Sequence, residues 1–125
     1  MANAHKVTLE KANSAVTAGD YEGFLSFCAE DTEWTFVGDR TLEGKEAVRR
    51  WMRTTYTTPP RLTVHRMISE GELHVATGTV SVMDQGGSYL ESSYCDVWRF
   101  RDGKMAELTA FVVESRPERE GRDTG

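Results

Sequence analysis

The stretch "SSYCDVWRF", residues 92–100, sets a single carboxylate among aromatic side chains. Tyr94, Trp98 and Phe100 alternate with Cys95, Val97 and Arg99, the period of a β-strand. By that parity Asp96 shares the aromatic face. A carboxylate in apolar surroundings loses hydration and must be paired, hydrogen-bonded or protonated. A carboxyl tuned upward by burial can act as a general acid, as a general base near neutral pH, or as a hydrogen-bond donor to a substrate carbonyl. The structural alternative is an Asp96 that pairs with an arginine or a helix N-terminus, or that stands where the sheet opens to water.

His65 is the second candidate. In "LTVHRMIS" it is in phase with Thr63 and Met67 and opposite Leu62, Val64 and Ile68. An imidazole there can exchange protons near neutral pH, or it can be a structural hydrogen-bonder. His74 falls beside the "EGE" turn, where solvation is the simpler expectation. Glu70, Glu72 and His74 straddle that turn at no recognised ligand spacing, so no metal site is expected. Trp34, Phe36, Trp51, Tyr94 and Trp98 can line an apolar cavity for a flat ligand, with Leu108, Ala110 and Val112 on one face of the last strand. Any one of these aromatics alone reads equally well as core. Arg49, Arg50 and Arg53 read as a cationic guard or as a solvated helix face partnered by Glu43 and Glu46. No phosphate loop, nucleotide fingerprint or nucleophile triad is present in the sequence.

These residues need elements to hold them. Leu9, Ala12, Ala15 and Val16 share a helix face that Gly19 can stop. Asp20 is a natural N-cap for a second helix carrying Tyr21, Phe24, Leu25 and Cys28 at i, i+3, i+4, i+7. "TEWTFVG" reads as a half-buried strand and "GDRTLEG" as a tight return. Ala47, Val48, Trp51, Met52 and Thr55 make a third helix, which must end before Pro59-Pro60. From Arg61 the period becomes two, with strands expected at 61–69, 73–83, 88–101 and 104–114, the last turn carrying an Asp-Gly hairpin signal. The expected fold class is α+β, three helices packed on an antiparallel sheet.

At 125 residues the chain suits one domain, residues 1–114, long enough to bury about two-thirds of its unfolded surface. The tail 115–125 is polar and expected to be disordered. A net charge of -5 argues against nucleic-acid binding, which needs a basic stripe. No apolar run suits a membrane span or a signal peptide, so the expected compartment is the cytoplasm. Cys28 and Cys95 read as free thiols acting as small core residues. The last strand carries Phe111 and Val113 on the face opposite Leu108, Ala110 and Val112. A sheet apolar on both faces needs cover on both, and three short helices cover one. The expectation is a homodimer through the other.

Three stretches, "AGDYEGFLSFCAEDTEW", "LEGKEAVRRWM" and "CDVWRFRDGKMAEL", resemble the nuclear transport factor 2-like superfamily, and within it the ketosteroid-isomerase and polyketide-cyclase branch called SnoaL-like. The resemblance covers roughly residues 9–114. It implies a strongly curved sheet forming a cone-shaped α+β barrel around a pocket. It implies that Asp96, in "DVWRF", is a buried acid facing a substrate oxygen, with Trp98 as pocket wall. Ketosteroid isomerase holds such a carboxylic acid neutral in an apolar site. Two further catalytic positions of that enzyme fall here on Phe36 and Ala12, so steroid isomerisation is not implied. Tyr94, in phase with Asp96, can donate the hydrogen bond that the absent helix tyrosine would give. The dehydratases of the superfamily suggest that His65 and Asp96 form an acid/base dyad across the cone. The implied activity is cofactor-free proton transfer next to a carbonyl of an apolar cyclic or polyketide-like compound: isomerisation, cyclisation or dehydration. A ligand- or partner-binding module without turnover is the alternative, and an accessory subunit of a larger enzyme a third, because this fold hosts all of these.

Overall fold

The computed structural model describes residues 2–115. Three helices lie in the first half of the chain: α1 (Ala2–Thr17), α2 (Tyr21–Leu25) and α3 (Lys45–Thr55), the last two separated by a pair of strands. Six strands follow and intervene: β1 (Cys28–Phe36), β2 (Arg40–Glu43), β3 (Arg61–Glu70), β4 (Leu73–Met83), β5 (Tyr89–Arg101) and β6 (Lys104–Glu114). They form one sheet in the order β2-β1-β6-β5-β4-β3. No helix of the described residues is long and apolar enough to cross a membrane.

Local chemistry explains the boundaries. The Asp20 carboxylate accepts from the Gly23 backbone N–H at 2.9 Å and so caps α2. That helix ends at Leu25, and Cys28 begins β1, not a further helical turn as the i+7 spacing suggested. The Met105 N–H donates to the Phe27 carbonyl at 2.9 Å, which draws the chain onto β6 before another turn can form. Cys28 is buried in the core, with burial pushing its thiol up to about 12. Cys95 is half-buried and lies with Phe111 and Thr77 on the outer side of the sheet, so it is not a core residue. The expected return at 38–44 contains a short strand, β2, paired with β1. The hairpin at Asp102-Gly103 takes positive φ at both residues, as its sequence foretold.

The sheet is mixed and does not close. β1 runs parallel to β6, where an all-antiparallel meander was expected. A parallel pair needs a long crossover, and here α3 and the β3–β5 strands supply it. Nothing in the local alternation of either strand encodes that pairing. A second irregularity lies in β3. The register slips between Val64 and Arg66, leaving His65 opposite no residue of β4. The bulged backbone passes so close to Gly78 that a Cβ there would sit 1.9 Å from the Thr63 carbonyl oxygen. Glycine is required by that approach.

The helices lie over the two margins of the sheet, α1 against β3 and β4, α3 against β1 and β2. Leu9, Ala12, Val16, Phe24, Leu25, Val48 and Met52 are the buried apolar helix positions, packed with Trp34, Trp98, Phe100, Met105 and Leu108 from the sheet. The middle strands β6 and β5 are left to form the floor of a space under the helices.

A candidate functional site on the concave face of the sheet

Strand register fixes which side chains stand side by side on the concave face. From β1 towards β3, one row runs Trp34, Leu108, Trp98, His74. The next runs Phe36, Ala110, Asp96, Ala76. Beyond it come Val112, Tyr94 and Gly78, then Glu114, Ser92, Val80 and Leu62. Asp96 thus has an alanine on either side in its row, a tryptophan row on one side and Tyr94 on the other. The small neighbours leave room above the carboxyl. The result is a cavity of about 420 Å³, within the range that holds a small molecule.

Nine of the ten residues singled out by the sequence meet around this cavity: Trp34, Phe36, Trp51, Tyr94, Asp96, Trp98, Leu108, Ala110 and Val112. Trp34 is the centre of the aromatic wall. Its ring centroid lies 6.0 Å from that of Trp51 and 5.6 Å from that of Trp98, both edge to face. The tenth residue, His65, is a correction. It sits at the β3 bulge, exposed, and does not line the cavity. Period-2 counting from Leu62 places it correctly only until the extra residue enters, which resets the phase so that Leu62 and Met67 both turn inward. No dyad with Asp96 forms. His74 is a second correction: it is buried, 1% exposed, with Nδ1 bonded to the Ser69 hydroxyl.

Asp96 is half-buried and open to the cavity. Among the described residues its carboxyl has neither a hydrogen-bond partner nor an ion pair, so no charge offsets its loss of hydration. Desolvation pushes its pKa up to about 7. Two phenols feel its charge. Burial, with Asp96 adding to it, pushes Tyr94 up to about 12 and raises Tyr56 further. Both keep their protons at neutral pH and remain donors. Tyr56 escaped the sequence reading. It follows the last turn of α3 as its C-cap, with φ −97° and ψ 90°, off the helical period and just ahead of Pro59-Pro60. The aromatic before a predicted helix stop was the available signal. Asn13 of α1 also lines the cavity, one residue from Ala12.

The open end of the cavity is recognisable by exposure. Leu9, Phe24, Trp34, Met52 and Trp98 are buried, whereas Val37, Asp39, Val112 and Glu114 line the cavity and are exposed. The mouth therefore lies where the parallel strands β1 and β6 end. The arginines of α3 stand elsewhere. Arg49 donates to Glu22 at 2.7 Å, Arg53 lies 3.5 Å from Glu22 and Arg50 3.8 Å from Glu46. None lines the cavity, and the solvated-face reading describes them.

This arrangement can hold a flat apolar molecule against tryptophan and present one protonatable carboxyl and two phenols to it. Solved structures with the same fold are numerous. An NTF2-like protein of unknown function from Burkholderia pseudomallei is 25% identical, with a TM-score of 0.76 over 86% of this chain and 88% of that one. An LEH-like epoxide hydrolase from M. tuberculosis is 15% identical, with a TM-score of 0.79 over 88% and 83%. A ketosteroid-isomerase-like protein from Kribbella flavida is 18% identical, with a TM-score of 0.77 over 98% and 87%. No protein of curated function matches the sequence. The family model of the SnoaL-like domain matches residues 9–108, from the first buried leucine of α1 to the strand that floors the cavity, and the chain belongs to that family of NTF2-like folds.

Proposed function

We propose that the protein acts on an apolar cyclic or polyketide-like carbonyl compound by proton transfer, without a cofactor, in the cytoplasm. The observation that carries this reading is the Asp96 carboxyl, unpartnered among the described residues, at the floor of an aromatic cavity, with a pKa pushed up to about 7. A group titrating there can take a proton from the carbon beside a carbonyl and return it elsewhere. Tyr94 and Tyr56 are the donors that would hold the oxygen as negative charge develops on it. Isomerisation, aldol cyclisation and dehydration all share that step. The test is a carbon-13 carboxyl titration with Asp96→Asn to assign the signal. A pKa near 7 is expected; a value at or below about 4 would mean a solvated or paired group and would remove the catalytic reading.

A binding module without turnover is the second reading. What favours it is Phe36, which lines the cavity where the resemblance to ketosteroid isomerase would place a general base. In that case Asp96→Asn retains ligand and no substrate screen yields turnover; loss of a measured turnover in that variant supports the enzyme.

The outer face of the sheet supports a further proposal, that two copies pair through it. Ile68, Phe111 and Val113 are 63%, 46% and 68% exposed there, and they flank the half-buried Cys95 and Val97. Sedimentation equilibrium should give a dimer and Phe111→Glu a monomer. A wild-type monomer would end the proposal.

A further inference from the structure

The cavity's charge is one-sided. Its ionisable carboxyl groups are Asp39, Asp96 and Glu114, and among the described residues no lysine, arginine or histidine lines it. The chain as a whole carries −5, the same sign as these groups. Asp96 sits deep on the floor, while Asp39 and Glu114 are exposed at the ends of β1 and β6. Arg40 lies 3.5 Å from Asp39, an exposed pair that partly offsets the Asp39 charge, and does not itself line the cavity. The interior also holds an unanswered polar atom. Trp34, 4% exposed, lines the cavity, and its buried indole N–H has no partner among the described residues.

We infer that this site selects its ligand by charge: it takes a flat ring compound with a neutral oxygen at the Asp96 end and a protonated amine directed to the Asp39 and Glu114 mouth, and it turns away carboxylates and phosphates. The inference rests on the reading of the cavity as a small-molecule site. An anion entering would face three carboxyl groups with no donor cation among the described residues of the walls. A ring amine meets opposite charge at the rim and aromatic faces below it. The amine belongs at the mouth and not at the floor, because an ammonium paired with Asp96 would hold that carboxyl ionised and end its use as an acid.

The experiment is isothermal titration of the full chain with naphthylmethylammonium, naphthylmethanol and naphthoate, near neutral pH and at low and high salt. The ammonium compound should bind about tenfold tighter than the carboxylate, with the alcohol between them. In an Asp39→Asn, Glu114→Gln double variant, and at high salt, that gap should narrow about three- to fivefold. Naphthoate binding as tightly as the ammonium compound overturns the inference, as does a gap that the double variant leaves intact. A gap erased by Asp96→Asn instead places the ammonium on the floor and overturns the mouth assignment. Failure of the neutral alcohol to bind at all fails the small-molecule reading itself; binding of the alcohol with no order among the charged probes fails only the charge selection.

Discussion

Asp96 and His74 are both titratable groups on the concave face of adjacent strands, one row apart. Their surroundings differ in one respect. His74 is packed solid: Ser69 takes its Nδ1, and the Phe100 ring stands edge-on at 6.4 Å with His5 of α1 stacked 4.2 Å beyond. Asp96 is flanked by Ala76 and Ala110 and faces empty volume. Desolvation shifts both towards the neutral form, raising the acid and lowering the base. A shifted pKa therefore does not distinguish a site from a packed interior. Space beside the group does.

The comparison breaks most severely at Trp98, which stands between the two, opposite His74 in register and against the cavity. Trp98→Ala should destabilise by about 3–5 kcal/mol in denaturant unfolding, through lost contacts and the void left behind. Next comes pH. Between about 3.8 and about 7 the unfolded chain gives up the Asp96 proton while the folded chain keeps it, so this group's contribution falls as pH rises through that window. His74 runs the other way. Its folded pKa lies below 6.5, through desolvation first, with His5 and Lys6 in the same direction and Glu10 opposing. Its contribution is present above 6.5 and lost on acidification. Asp96→Asn should gain about 1–3 kcal/mol at pH 8, with water in the cavity moderating the effect. His74→Gln should remove the acid-side loss, on top of a packing cost that does not vary with pH. Thermal unfolding across pH separates the two, and slopes of the same sign in both variants would contradict the assignment. The smallest effect is expected from Tyr56→Phe, which should weaken a neutral carbonyl ligand about two- to tenfold in titration with unfolding unchanged within about 1 kcal/mol.

Legibility in the sequence followed regularity of period. The strands β3 to β6 lie within about one residue of their expected bounds, because alternation and turn residues agree there. Asp96 was placed by counting because β5 keeps unbroken register from Tyr89 to Arg99, slipping only before Phe100. His65 was misplaced because β3 does not, and the only trace of its bulge is a glycine on the neighbouring strand. Tyr56 belongs to a helix cap, a conformation no period describes. The β1–β6 pairing joins segments about 75 residues apart through tertiary contact alone.

All three tryptophans of the chain, Trp34, Trp51 and Trp98, line the same cavity, with Trp34 close to both of the others. In optical terms the protein carries no background indole. Its indole emission comes wholly from rings near enough to exchange excitation, so colour and intensity should respond together to whatever displaces water from above Asp96.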